Sequence, residues 1–172
     1  MAVLPIRVFG DPVLKERCQE VAATGEELEQ LIRDLIDSLP RPGGAGLSGN
    51  QIGIIKRIFI YDNEGEIEAC INPRIASFSE EKVEEVEGCL SLPGVGVPVV
   101  RHESLELEYT DTAGEPHTLR AEGWIARVFQ HEMDHLDGTL ILDRTDRASR
   151  IEALEFMESG LPHDSTGEGP GL

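Results

Sequence analysis

The sequence predicts an α+β fold: short, mostly antiparallel β-strands packed around a central metal-binding α-helix, with an N-terminal and a C-terminal helix. Three observations predict it. Residues 24–39 and 124–137 repeat apolar side chains at helical spacing. Short runs of β-like composition lie between them, separated by turn residues. Within the second helical segment, Gln130-His131-Glu132-Met133-Asp134-His135 places two imidazoles one turn apart on one face, with a carboxylate directly after the first.

Taken in order, the first helix covers residues 24–39. Thr24 and Glu27 fit a capping box, Leu28, Leu31, Ile32, Leu35, Ile36 and Leu39 form the apolar stripe, and Pro40 stops it. The glycine-rich stretch 41–53 argues against regular structure. Strands are expected at Arg57–Tyr61, Glu68–Ile71, Arg74–Phe78 and Lys82–Glu87, with Pro73 dividing the second from the third. Pro93 is expected to end the extended run that holds Cys89. Ser104–Thr110 alternates Leu105, Leu107 and Tyr109 with mostly acidic residues, so one face is wet. Asp111–Gly114 turns the chain, and Glu115–Ala121 returns as the hairpin partner. The second helix, 124–137, takes its apolar side from Trp124, Ile125, Val128, Phe129 and Leu136 and stops at Gly138. A third helix covers 146–159. We expect one domain over residues 1–160 and a flexible tail over 161–172.

The 15 basic and 33 acidic residues give a net charge of −18, which disfavours a broad phosphate-binding surface and direct nucleic-acid binding. No apolar run is long enough to cross a membrane. The start MAVLPIRVFGDP lacks a signal-peptide pattern, and the three cysteines form no CxxC pair. Both point to the cytoplasm and free thiols. Cys18 and Cys70 read as small buried hydrophobes, and His102, His117 and His163 as surface or loop histidines.

His131 and His135 can bind one divalent cation, and Glu132 can then reach a water at that metal. A catalytic site of this type needs a third protein ligand. One protease class takes a His six residues after the second; here that residue is Ile141. Another takes a Glu about twenty residues on, where Glu155 stands. The remaining candidate is Cys89, in Glu87-Gly88-Cys89-Leu90-Ser91. An endopeptidase using Glu155 and a non-catalytic structural metal site stay open at this point. Asp134 is expected to point away from the metal and to pair with Arg101.

Three segments together resemble the peptide deformylase family: Gly44-Ala45-Gly46-Leu47-Ser48-Gly49-Asn50-Gln51-Ile52-Gly53, Glu87-Gly88-Cys89-Leu90-Ser91, and Gln130-His131-Glu132-Met133-Asp134-His135-Leu136-Asp137-Gly138. They stand in the family's order, and the likeness runs from Asp11-Pro12-Val13-Leu14 to Leu142-Asp143-Arg144. The resemblance implies that Cys89, His131 and His135 hold the metal and that Glu132 is the acid/base. It implies that Gln51 and the Leu90 N–H bind the formyl oxygen and that Gly46 lets the substrate backbone approach. Trp124 and Val128 are candidates for holding the first side chain, which the resemblance implies is methionine. The implied substrate is a nascent N-formylmethionyl polypeptide, and the implied metal is Fe²⁺, with Zn²⁺, Ni²⁺ or Co²⁺ as substitutes. Work at the ribosome exit would be helped by a basic surface, and only Arg144, Arg147 and Arg150 cluster. A monomer is expected. The first segment departs from the family's usual pattern: Ser48-Gly49 stands where two alanines are more usual, and Gly49 is expected to add flexibility.

Overall fold

A computed structural model describes residues 3–40 and 43–159. The element order is α1 (Glu26–Ser38), β1 (Gly46–Ser48), β2 (Ile58–Asn63), β3 (Glu66–Phe78), β4 (Lys82–Cys89), β5 (Leu92–His102), β6 (Ser104–Thr110), β7 (Pro116–Glu122), α2 (Gly123–Leu136) and α3 (Arg147–Ser159). Five strands form one antiparallel sheet in the order β1-β2-β3-β6-β7, and β4 and β5 pair separately as a long hairpin. The architecture is α+β, as expected.

Two helices cover opposite faces of the larger sheet, and β2 shows why. Its run Ile58-Phe59-Ile60-Tyr61 is buried throughout rather than alternating. Ile58 and Ile60 pack with Leu28 and Leu35 of α1 and with Leu39 just past its end. Phe59 and Tyr61 point the other way, into Val128, Phe129, Met133 and Leu136 of α2. The Tyr61 and Phe129 rings meet edge to face at 4.8 Å, a favoured aromatic geometry. A third cluster joins Val95, Val97 and Val99 of β5 to Leu140, Ile141, Leu142 and Ala153. The hairpin is thus clamped between α2 on one flank and α3 on the other.

Several expectations are corrected. The first helix begins at Glu26; its N-cap is Gly25 at φ 58°, with no side-chain cap, so the Thr24–Glu27 capping box does not form. The glycine-rich stretch is regular in part: β1 pairs with β2, and Gly49–Ile52 forms a 3-10 turn. Backbone pairing needs no β-forming side chains, and β1 is only three residues long. Gly49 adds no slack. It is buried, and a Cβ there would lie 2.7 Å from the carbonyl oxygens of both Ile54 and Lys56. Pro73 does not divide a strand pair; β3 runs through it, with a register shift between Ile71 and Arg74 that absorbs the missing N–H. Pro93 likewise lies inside β5, which is tolerated because a two-stranded sheet has only edges. Of the two residues read as either core or substrate wall, Val128 is buried and Trp124 is 39% exposed. His117 is a surface residue, as expected, on β7 and bonded to Asp111. His163 and the tail 161–172 lie outside the described residues. No helix among the described residues is long and apolar enough to cross a membrane.

Candidate active site

The β4–β5 hairpin places the first ligand. Cys89 is the last residue of β4, and Leu90-Ser91 make the turn, next to a register shift at Gly88/Cys89. That bulge turns the thiol inward over α2. There Cys89 Sγ lies 3.2 Å from His135 Nε2, which lies 3.2 Å from His131 Nε2. All three residues are buried, and their ligand atoms fall within 4.8 Å of one another. Tetrahedral bonds of about 2.0–2.1 Å would separate two nitrogens by about 3.3 Å, so the donor set fits one divalent ion. Glu155 is exposed on α3 and outside this cluster. Ile141 is core.

Six polar residues of α2 are buried, and among them only His135 Nδ1 has no hydrogen-bond partner among the described residues. His131 Nδ1 donates to Glu87 Oε2 at 3.1 Å, which fixes the tautomer and leaves Nε2 free to ligate. Glu87 also receives Arg101 through two bonds of 2.8 and 2.9 Å and Arg127 at 2.7 Å. Arg101 reaches on to Asp134 at 2.6 Å, and Arg144 bonds the same carboxylate at 2.5 and 3.0 Å. The expected Asp134–Arg101 pair is therefore present, and Asp134 points away from the ligand cluster. Gln130 bonds both backbone groups of His102 and so ties α2 to the end of β5. Asn50 Nδ2 donates to the His135 carbonyl at 2.6 Å.

Gln51 is 1% exposed, and its orientation is fixed by the backbone. Its Oε1 accepts the Ser48 N–H at 2.9 Å. Its Nε2 donor must then face the sulfur side, 3.2 Å from Ser91 Oγ and 3.9 Å from Cys89 Sγ. Leu90 follows Cys89 directly in the turn. Glu132 is 1% exposed and accepts the Ser48 hydroxyl at Oε2. Gly46 packs on the other oxygen: a Cβ there would lie 2.5 Å from Oε1. This glycine is needed to seat Glu132 itself. Gly46→Ala is expected to cut turnover at least tenfold by displacing the carboxylate, while costing about 1–3 kcal/mol of stability; steady-state kinetics and thermal melts check both. Val128, one turn before His131's own turn of α2, faces the core, whereas Trp124 is solvent-accessible.

The electrostatics follow the geometry. Burial opposes charge on Glu87, but Arg101 and His131 outweigh it and hold the carboxyl down to about 2. Burial also opposes charge on His131, yet the Cys89 sulfur and Glu87 push it up to about 10. Burial lowers the pKa of His135 well below the ordinary histidine value, with the neighbouring His131 charge acting in the same direction. Burial raises Glu132 to about 7, against His131 and the Ser48 hydroxyl; a divalent cation nearby acts to lower it. Because Glu87 is depressed when folded, its stabilising contribution is full above its ordinary value of 4.5 and is lost as pH falls through about 2. Urea midpoints of ion-free protein should drop between about pH 5 and 2, and less so in Glu87→Gln.

Sequence reasoning missed Glu87, Arg127 and Ser48 as partners of the site. Strand parity carried a signal for the first, since Glu87 and Cys89 lie two apart on one face of β4. Helical spacing carried one for the second, since Arg127 lies four residues before His131.

Known proteins resemble this chain over most of its length. The sequence pattern described as polypeptide deformylase matches residues 3–151. Peptide deformylase 1 of Corynebacterium glutamicum is 42% identical over 163 residues, 92% of this chain and 96% of that protein. The peptide deformylase of Acidothermus cellulolyticus is 43% identical, covering 91% and 87%. The crystal structure of the Thermotoga maritima enzyme superposes with a TM-score of 0.82 at 40% identity, covering 85% of this chain and 99% of that one. The Synechococcus elongatus enzyme in complex with actinonin gives 0.84 at 39%, covering 88% and 84%. With matches of this length and identity, the chain belongs to the polypeptide deformylase family.

Proposed function

We propose that this chain removes the N-terminal formyl group from nascent formyl-methionyl polypeptides and releases formate, with the following division of labour. The observation that carries the reading is the convergence of Cys89, His131 and His135 beside one buried carboxylate and one oriented amide. Cys89, His131 and His135 would hold a divalent ion, which would supply Lewis acidity there. Glu132 accepts the attacking water's proton and returns it to the departing amine. Gln51 Nε2 and the Leu90 N–H donate to the formyl oxygen as negative charge develops there. Trp124 offers an accessible apolar wall for the methionine side chain, and Val128 backs it from the core. Gly46 borders the path of the substrate backbone.

Mixed thiolate and imidazole ligation suits iron(II), and equally zinc, nickel or cobalt. We propose iron(II) as the working ion, a monomeric single catalytic domain, and a cytoplasmic setting. Contact with the ribosome exit would fall to Arg144, Arg147 and Arg150. Two of these three are already paired, Arg144 with Asp134 and Arg150 with Asp143 at 3.5 Å.

The test is formate release from formyl-Met peptides by anaerobically purified protein of known metal content. Parent and Glu155→Ala should release formate alike. Absence of release with metal bound, or activity abolished by Glu155→Ala, would overturn the reading in favour of an endopeptidase or a structural site.

A further inference from the structure

We propose that the Ser48 side chain is a positioning residue for Glu132. The proposal rests on the formyl-hydrolase reading above and adds to it a residue that acts through the acid/base. Ser48 is 0% exposed and Glu132 1%, so neither side chain is held by bulk water. Among the described residues, the Ser48 hydroxyl is the hydrogen-bond donor that meets the Glu132 carboxylate. It reaches Oε2, and the same Oγ lies 3.2 Å from the Glu132 carbonyl oxygen. The other carboxylate oxygen, Oε1, lies against Gly46, where no side chain can intrude.

A hydroxyl bonded to one carboxylate oxygen selects one rotamer of a three-torsion side chain. It leaves Oε1 as the oxygen that receives the proton. The alternative, a methyl group at position 48, fills similar space but donates nothing. Ser48 can hold this position because its own backbone is pinned twice. Its N–H is bonded to Gln51 Oε1 at 2.9 Å. The next residue, Gly49, is packed so closely against the carbonyls of Ile54 and Lys56 that a methyl there would collide with both. The pair Ser48-Gly49 therefore works as a unit: glycine brings the backbone in tightly, and serine converts that fixed backbone into a fixed carboxylate. One residue so serves both halves of the chemistry, with its N–H aiming the Gln51 amide and its Oγ aiming Glu132. Only the second arm depends on the side chain, which makes the two separable by substitution.

The experiment compares metal-loaded parent, Ser48→Ala, Glu132→Asp and the double variant, with metal content and thermal midpoint recorded for each. Ser48→Ala is expected to keep full metal and a KM within about twofold of the parent while kcat falls about tenfold. In the Glu132→Asp background the shortened carboxylate no longer meets the hydroxyl, and adding Ser48→Ala should change kcat less than about twofold. An unchanged kcat, a loss confined to KM, an equal loss in both backgrounds, or loss of folding or metal in Ser48→Ala would each overturn the proposal. The contact is also tested without turnover. Thermal midpoints of ion-free Ser48→Ala, Glu132→Gln and their combination should be non-additive, and additive shifts would overturn it. A parent that releases no formate would instead count against the functional reading, leaving this second cycle to decide the role of Ser48.

Discussion

Glu132→Ala is expected to lower formate release by about 10³- to 10⁴-fold while leaving the metal in place, because general acid–base catalysis typically contributes about that much. The expectation follows from where the carboxylate lies. Glu132 is buried beside His131 yet outside the trio of converging donor atoms. Its carboxylate meets Ser48 through one oxygen and Gly46 through the other. Metal analysis with steady-state kinetics checks both halves, and simultaneous loss of metal would mean that Glu132 is a ligand rather than a proton carrier. Loss of the Gln51 amide should be milder, since one oxyanion donor is typically worth about 2.7–4 kcal/mol. The two residues also differ in kind: the Gln51 donor is aimed by a backbone N–H, whereas Glu132 is aimed by a side chain.

Arg101→Met should destabilise the protein by about 3 kcal/mol and weaken metal binding about ten- to a hundredfold. Arg101 is 5% exposed and joins Glu87, which is fully buried, to Asp134. Removing it leaves two buried carboxylates with reduced compensation, which costs more than the ion pair itself contributes. The loss falls at the lower end of the usual range because Arg127 still bonds Glu87 and Arg144 still bonds Asp134. Metal binding suffers because Glu87 fixes the His131 ring through Nδ1. Arg144→Met offers the contrast. Its side chain is half-exposed, so solvent screens the pair, and it should cost no more than about 1 kcal/mol. Urea unfolding and metal titration of the two variants separate the buried arginine from the exposed one.

Much of this arrangement was legible in the sequence, for identifiable reasons. The helices α1, α2 and α3 showed themselves through 3.6-residue periodicity, and β6 through alternation. The metal trio was legible because two ligands share one helical turn and the third sits in a short distinctive segment. What could not be read is what backbone geometry or distant contact decides. The three-residue strand β1 is held by pairing with β2, not by its side chains. The passage of β3 and β5 through prolines depends on a register shift and on edge position. Ser48 meets Glu132 across a separation of 84 residues, and no local pattern announces it. The glycines mislead in the same way. Gly46 and Gly49 suggest a loose loop, but both are buried and mark close approaches, one of a carboxylate and one of two carbonyls.

The central claim is that one sulfur and two imidazole nitrogens hold a single ion in this chain. X-ray absorption at the metal edge of zinc-loaded protein tests it directly. The account predicts one sulfur at about 2.3 Å together with nitrogen at about 2.0–2.1 Å, and loss of the sulfur signal in Cys89→Ala. A shell of nitrogen and oxygen alone in the parent protein would contradict it.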